Sequence, residues 1–236
     1  FRLVQPSSPK PKLLLIASLT QDNVDSLGDY VAGADAGLLT ISKLSPGAKT
    51  LQQVCQSVPD IPWGGWLRDI GRGDIGQIVK VGGDFVVFPA ANTSLVMLQN
   101  AEVGKILQVE ASLGDGLLRA VNELPVDAVL IASEPEGEHL TCHHLMLFHH
   151  LANLFTKPLL VCIPSKVTAG ELQALWEVGV DGVIVESGVG QPEERLNKLR
   201  RAIDKLTFPP RCQQGQAEAL LPYLSREPDV VTEEEE

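Results

Sequence analysis

The sequence predicts an α/β fold in which eight parallel β-strands alternate with eight helices and close into a (β/α)8 TIM barrel. Short apolar runs rich in Val, Ile and Leu recur about every 25 residues between turn-forming residues, as strands buried on both faces do. Each run is followed by a stretch with helical periodicity. Eight such units fit the compact limit of about 200 residues for a barrel.

The apolar runs place the eight strands in order along the chain. They are predicted at 13–18, 37–42, 63–68, 85–90, 106–111, 128–133, 159–165 and 183–187. The helical periodicity predicts helices between and after them, at 21–33, 48–58, 72–82, 92–101, 115–124, 138–156, 168–178 and 192–206. Glycine or proline marks several helix ends, as at Gly82, Pro125 and Gly179.

An open, doubly wound sheet is the alternative to a closed barrel. Such sheets have fewer strands and often a glycine-rich first turn, whereas the first turn here, 18–22, contains no glycine. The segment Gly71–Gly76 matches the dinucleotide pattern G-x-G-x-x-G and follows a strand. The next strand ends at Phe88–Ala90 without the acidic residue that the pattern requires. We therefore expect no nucleotide cofactor.

The barrel is predicted to occupy residues 12–206 as a single domain with short extensions. Residues 1–11 are rich in Pro, Ser and Lys and are expected to form an extended arm. Residues 207–236 contain a short helix candidate, 216–224, followed by an acidic tail that is expected to be disordered.

Composition and charge exclude several classes of function. Apolar residues make up 44% of the 236 residues, which predicts a packed core, yet no apolar run is long enough for a membrane span. The net charge of −11 and the lack of a basic cluster argue against a nucleic-acid partner. The four cysteines are far apart and have no paired spacing, so free thiols and a cytoplasmic location are expected. The cysteines are Cys55, Cys142, Cys162 and Cys212.

In a (β/α)8 barrel, function is located at the carboxyl ends of the strands. Because the helix layer demands apolar side chains, a polar residue within a strand is expected to face the lumen. This rule selects Trp66 and Arg68 on the third strand and Gln108 and Glu110 on the fifth. Further candidates at the mouth are Ser42, Lys43, Glu134, Glu136, Lys166 and Ser187.

Arg68 and Glu110 allow two interpretations. They could form a structural ion pair that plugs the barrel, because buried charges require partners. Alternatively, Arg68 would hold the carboxylate of a small anionic substrate, and Glu110 would hold a divalent cation with a carboxylate after the sixth strand.

The order of these residues resembles that of the phosphoenolpyruvate/pyruvate-binding barrels, and most of all the metal-dependent class II pyruvate aldolases (4-hydroxy-2-oxo acid aldolases). The resemblance rests on Arg68, on Leu107–Leu117 as the metal-binding strand with its following helix, and on the segments 126–131 and 33–39. It covers roughly residues 26–140. It implies a lyase that cleaves a carbon–carbon bond of a small 2-keto acid.

The resemblance also assigns roles to individual residues. Arg68 would bind the carboxylate, Gln108 would contact the substrate, and Glu110 would bind Mg²⁺ or Mn²⁺. The position of the second metal ligand matches Pro135, which is flanked by Glu134 and Glu136. The positions of Trp66 and Ser42 on the strands, rather than the resemblance, make them candidates for the substrate pocket. The related aldolases are oligomers, so a homo-oligomer is plausible.

The sequence departs from the family at the acid–base position. The family has an acidic residue and a histidine after the second strand, whereas this loop, 40–47, has neither. A lysine could act there if the fold buried it, which points to Lys43. The five histidines all lie within 139–150. On the predicted helix, His139, His143 and His150 are expected to share one edge that packs at a surface or interface, whereas His144 is expected to point toward the barrel. Only His139 is expected near the mouth, as a base.

Two other functions remain open from the sequence. A catalytically lapsed barrel could serve as a binding or scaffold module, because the acid–base pair is missing. A barrel that binds a phosphorylated small molecule would use the loops after the seventh and eighth strands, with Lys166 and Ser187 as ligands.

Overall fold

The predicted barrel is confirmed: eight parallel strands hydrogen-bond in chain order, and β8 pairs with β1 to close the sheet. The computed structural model describes residues 13–20, 27–68, 74–99, 101–131, 139–164, 166–186 and 192–208. The strands are β1 (Leu14–Leu19), β2 (Ala36–Ile41), β3 (Trp63–Leu67), β4 (Phe85–Pro89), β5 (Gly104–Val109), β6 (Ala128–Ile131), β7 (Leu159–Ile163) and β8 (Gly182–Glu186).

Seven α-helices surround the strands in the described part of the chain. They are α1 (Leu27–Val31), α2 (Leu44–Ser57), α3 (Asp74–Lys80), α4 (Asp115–Ala120), α5 (Cys142–Leu154), α6 (Ala169–Glu177) and α7 (Pro192–Asp204). Helix α2 begins four residues before its predicted start. Its third residue is Pro46, and the first turn of a helix tolerates proline because it needs no N–H donor there.

The predicted helix at 92–101 is wrong. The connection from β4 to β5 instead contains a short 3-10 helix, Leu95–Gln99, which buries only Met97. The residues before it favour local hydrogen bonds to the backbone, and the Thr93 hydroxyl donates to the Pro89 carbonyl at 2.7 Å. That turn uses part of the chain that the periodicity assigned to a helix.

Two apolar clusters divide the interior. One fills the lumen and is formed by alternate strand residues: Ile16, Ala36, Leu38, Val87, Ile106, Leu130, Leu160 and Ile184. The larger cluster lies between the strands and the helices and includes Leu15, Leu39, Val86, Leu107 and Val185. This alternation is what β geometry requires when both faces of a sheet are buried.

Lys105 is an exception to the rule that polar strand residues face the lumen. Its neighbour Ile106 belongs to the lumen cluster, and Lys105 itself is only 8% exposed. The Lys105 ammonium donates to the Leu98 carbonyl at 3.2 Å, near the end of the 3-10 helix. The layer outside the strands therefore accepts a lysine where a helix-end carbonyl needs a donor.

One hydrogen-bonded arrangement recurs four times at the amino ends of the strands. The residue before an even-numbered strand is an aspartate, and its carboxylate accepts from a backbone N–H at the start of the preceding strand, at 2.7–2.9 Å. The backbone N–H of the same aspartate donates to the carbonyl of that residue in return. The four aspartates are Asp35, Asp84, Asp127 and Asp181.

Helix α7 secures the barrel near the junction of β1 and β8. Arg200 of α7 donates to the Asp35 carboxylate at 2.8 Å and to Asp204 at 3.0 Å. Helix α7 also packs on α1 and α6. Within the described residues, none of the helices has both the length and the apolarity that crossing a bilayer would need.

Candidate functional site

Two side chains meet above the lumen and form the floor of the barrel mouth. Trp66 of β3 donates its indole N–H to the Oε1 atom of Gln108 on β5, at 2.7 Å. Strand β4 lies between them, so the indole reaches across Val87. Both residues are half-buried, and Trp66 packs on the lumen cluster. Both side chains therefore point in the direction that alternation along β3 and β5 predicts.

Other polar groups that share the lumen-facing side of the strands lie at the same level. Ser18 of β1 is 6% exposed, and Thr40 of β2 is half-buried in register with Trp66. Cys162 of β7 is half-buried and packs against the lumen cluster. Neither Ser18 nor Cys162 is among the predicted site residues, although each alternates in phase with a lumen residue, Ile16 and Leu160 respectively.

Two of the cationic candidates, Arg68 and Lys43, lie at one side of the rim. Arg68 is the first residue after β3 and is exposed. The register Ile41↔Leu67 places the exposed residue Ser42 beside it, and Lys43 follows Ser42 as the N-cap of α2. Lys43 is also exposed, so it lacks the burial that the predicted role as a base requires. Among the described residues, Arg68 and Glu110 form no ion pair, and Arg68 has no acidic partner.

Glu110 is the described carboxylate among the predicted metal ligands. It is exposed directly after β5, and its described partner is the Ser112 hydroxyl at 3.3 Å. The predicted ligands Glu134 and Glu136 lie outside the described residues. In the part of the chain that the structure describes, no three His, Cys, Asp or Glu side chains form a group that could hold a metal ion.

The histidines are distributed differently from the prediction. His139 is exposed and precedes α5, which begins only at Cys142, so it does not share a helix edge with His143 and His150. His150 instead contacts Asp115 of α4 at 3.1 Å. His144 closes the capping box of α5 and stacks on Phe148 at 6.2 Å. Hydrogen bonds from the backbone and the hydroxyl of Thr168 lower the pKa of Glu171 in α6, and His139, which lies nearby, adds a smaller electrostatic contribution in the same direction.

The remaining candidates concern anion binding after β7 and β8. Lys166 is exposed just after β7. Ser187 lies outside the described residues. A separate cavity of about 360 Å³ opens at the opposite face, where α5 and α6 end, and His149, Asn153, Glu177 and Asp181 line it. Because strands run from that face toward the mouth, this cavity is distant from the predicted site residues that the structure describes.

Comparisons with known proteins identify the fold and no family. No protein-family model matches the chain, and no curated protein is similar to it. Solved structures match over most of their length. Thiamine phosphate pyrophosphorylase from Pyrococcus furiosus has a TM-score of 0.61 and 16% identity, covering 82% of this chain and 96% of that one.

Two further solved structures match the chain with similar TM-scores and identities. 3-Hexulose-6-phosphate synthase has a TM-score of 0.63 and 14% identity, covering 80% of this chain and 99% of that one. Orotidine 5'-phosphate decarboxylase from Pyrococcus horikoshii OT3 has a TM-score of 0.60 and 13% identity, covering 80% and 100%. At these identities a likeness establishes architecture alone. The chain therefore shares the single-barrel (β/α)8 fold of these enzymes, and the resemblance to class II pyruvate aldolases stays a prediction.

Proposed function

We propose that the chain binds a small anionic metabolite, carrying a carboxylate or a phosphate, at the mouth of its barrel. The observation that carries this proposal is Arg68, an exposed arginine at a strand end with no acidic partner among the described residues. A guanidinium offers five donors in a planar fork that matches both anions. Lys43, one strand away, adds a second cation at the same rim.

Two further observations support an anionic ligand, each for a different chemical class. The three compared enzymes are named for phosphorylated compounds. The resemblance in sequence points instead to a 2-keto acid. Both kinds of ligand present anionic oxygen, so Arg68 would serve either. Lys166, exposed just after β7, would contribute in the phosphate case, together with Ser187.

The finer proposal is a metal-assisted lyase that acts on a 2-keto acid. Glu110 would hold Mg²⁺ or Mn²⁺ with Glu134 or Glu136, and the metal would supply Lewis-acid stabilisation of an enolate. Carboxylate oxygens suit these hard cations, and Glu110 is solvent-exposed with only a hydroxyl as its described partner. Arg68 would orient the substrate carboxylate, and the Gln108 amide would contact the keto acid.

Binding of the anion is tested by titration calorimetry with oxalate, pyruvate and inorganic phosphate. Wild-type protein is expected to bind at least one of them. Arg68→Gln should weaken that binding about tenfold or more, because it removes a charge-assisted hydrogen bond. Arg119→Gln is the matched control, since Arg119 is exposed in the last turn of α4. Equal affinities in wild type and Arg68→Gln would contradict the proposal.

The three ligands also separate the two sources of anionic oxygen. Preference for phosphate, weakened by Lys166→Gln, would favour a phosphorylated metabolite. Preference for oxalate and pyruvate that increases with Mn²⁺ would favour the keto acid. In that case Glu110→Gln should abolish the Mn²⁺ effect, whereas Glu123→Gln, an exposed glutamate elsewhere, should retain it.

A catalytically lapsed binding or scaffold module is the second candidate. It is favoured by the Trp66–Gln108 hydrogen bond, which places a large side chain across the mouth. It is also favoured by the exposure of Lys43, the residue that would have replaced the missing acid–base pair. A wild-type protein that binds none of the three anions, with or without Mn²⁺, would support this candidate over the enzyme.

A further inference from the structure

The hydrogen bond between Trp66 and Gln108 has a fixed direction. The indole N–H can only donate, whereas the glutamine side chain has one acceptor oxygen and one NH₂ group with two donors. The Oε1 atom of Gln108 must therefore face Trp66, at 2.7 Å. This contact fixes the orientation of the amide, which could otherwise rotate by about 180° and exchange the positions of its oxygen and its NH₂ group.

The other end of the amide is available to a ligand. The Nε2 group of Gln108 has no hydrogen-bond partner among the described residues. The Nε2 atom is accessible to solvent, because it is not one of the described side-chain polar atoms that are both fully buried and without a hydrogen-bond partner. Below it lie Val87, Ile106 and Leu130 of the apolar lumen cluster. The solvent that reaches this group therefore comes from the mouth.

We propose that Trp66 is a positioning residue that determines specificity, because it holds the Gln108 amide with its donors toward the mouth. The floor of the site then favours a ligand atom that accepts hydrogen bonds, such as a keto, carboxylate or phosphoryl oxygen. It disfavours a ligand that presents an ammonium group at the same point, because two donors would face each other. This inference rests on the proposed function, since it concerns the ligand of the same mouth.

The substitution Trp66→Phe isolates the contribution of the hydrogen bond. Phenylalanine retains an aromatic ring above the lumen cluster but has no N–H, so Gln108 can turn and offer either end of its amide. Trp176→Phe is the matched control, because Trp176 lies in α6 and its ring contacts Phe208, away from the lumen.

Pyruvate and L-alanine are suitable probes, since they share three carbons and a carboxylate but carry a keto oxygen and an ammonium group, respectively. We expect wild-type protein to bind pyruvate at least about tenfold more tightly than alanine, the effect of one mismatched hydrogen bond. Trp66→Phe should reduce that ratio several-fold, and Trp176→Phe should not change it. If Trp66 had only a structural role, Trp66→Phe would weaken the binding of pyruvate and of alanine equally, and the ratio of the two affinities would not change.

A second measurement requires no ligand. Hydrogen exchange of the Trp66 indole N–H, assigned by its absence in Trp66→Phe, should be slow in wild type and fast in Gln108→Leu. Equal exchange in the two proteins would overturn the inference. An unchanged pyruvate-to-alanine ratio in Trp66→Phe would also overturn it while leaving the proposed function intact. If wild type binds neither pyruvate nor any tested anion, the proposed function fails and the inference fails with it.

Discussion

At the scale of single residues, Gly37 leaves the space that Trp63 fills. The two residues are partners in the β2–β3 register, and Trp63 is 1% exposed. A Cβ atom on Gly37 would lie 2.3 Å from the Trp63 ring. The Trp63 indole cannot move away easily, because its N–H donates to the Val58 carbonyl at 2.8 Å. Position 37 therefore requires a residue without a side chain.

We expect Gly37→Ala to destabilise the protein by about 2 kcal/mol or more, because the indole must shift within a packed layer. Gly116→Ala is the matched control: a Cβ atom there meets nothing within 4 Å, and the site lies in α4. That variant should be neutral or more stable by up to about 1 kcal/mol. Urea unfolding measures both changes, and equal stabilities of the two variants would contradict the expectation.

Cys55 and Cys142 should differ in reactivity because their surroundings differ. Burial raises the pKa of Cys55 to about 11, and the nearby Asp84 carboxylate adds to the increase, although a backbone hydrogen bond at Cys55 opposes it. At pH 8 about a thousandth of Cys55 is then thiolate, the form that reacts. Cys142 is exposed in the first turn of α5.

Alkylation with iodoacetamide at pH 8, followed by peptide mass spectrometry, checks this difference. We expect Cys142 to be modified in the folded protein and Cys55 only after unfolding in urea. Rapid labelling of Cys55 in the folded protein would show that its environment is not as described. The Cys55→Ser variant identifies the peptide unambiguously.

At the scale of elements, the start of α6 depends on a reciprocal pair. The Glu171 carboxylate accepts from the backbone N–H of Thr168 at 2.8 Å and from its hydroxyl at 2.7 Å, and the Glu171 N–H donates to the same hydroxyl at 3.2 Å. These bonds, first that of the Thr168 backbone and then that of its hydroxyl, lower the pKa of Glu171 below its ordinary value of 4.5. The pattern Thr-x-x-Glu is the usual signature of such a cap.

We expect Thr168→Ala to cost about 1 kcal/mol at neutral pH. Because the pKa of Glu171 is lower in the folded state, the carboxylate contributes its stabilisation above about pH 4.5 and loses it as the pH falls through the folded value. The difference between wild type and Thr168→Ala should therefore shrink at pH 3. Urea unfolding at pH 7 and pH 3 measures it.

Thr50→Ala is the control for this prediction, since the Thr50 hydroxyl donates only to the Pro46 carbonyl on the exposed side of α2. It should show a small effect that does not depend on pH. A Thr168→Ala cost that is the same at both pH values would mean that the charge of Glu171 contributes nothing to the cap.

At the scale of the whole molecule, the four strand-start aspartates divide the barrel into four similar quarters. Each joins an odd-numbered strand to the next even-numbered one, through its carboxylate and through its own backbone N–H. In three of the quarters the aspartate lies two residues after a glycine with positive φ, at Gly33, Gly82 and Gly179. The four aspartates are visible in the sequence at 35, 84, 127 and 181, but only the pairing of the strands shows that each one bonds to the start of the preceding strand.

We expect Asp127→Ala to destabilise the barrel by about 1–3 kcal/mol, since it leaves the Lys105 backbone N–H without its partner. Asp127→Asn should cost clearly less, because the amide oxygen can still accept. Asp60→Ala is the control, as Asp60 is exposed with no described hydrogen bond. Thermal unfolding compares the three. An Asn variant as unstable as the Ala variant would indicate that charge, rather than hydrogen bonding, is what matters.

The sequence determined much of the architecture by itself. Apolar runs and helical periods are local patterns, so they predicted the number, order and type of nearly all elements, and alternation along β3 and β5 predicted that Trp66 and Gln108 face the lumen. Local hydrogen bonding at Thr93 accounts for the wrong helix at 92–101, and the tolerance of Pro46 in a first turn accounts for the early start of α2.

Only the tertiary structure decided how the candidate site is assembled. Trp66 and Gln108 are 42 residues apart, and no local pattern could indicate that one would bond to the other across β4. The same holds for the absence of an Arg68–Glu110 ion pair among the described residues, and for the exposure of Lys43. Contacts of this kind depend on the register and closure of the whole barrel, because closure alone fixes which strand ends lie opposite each other.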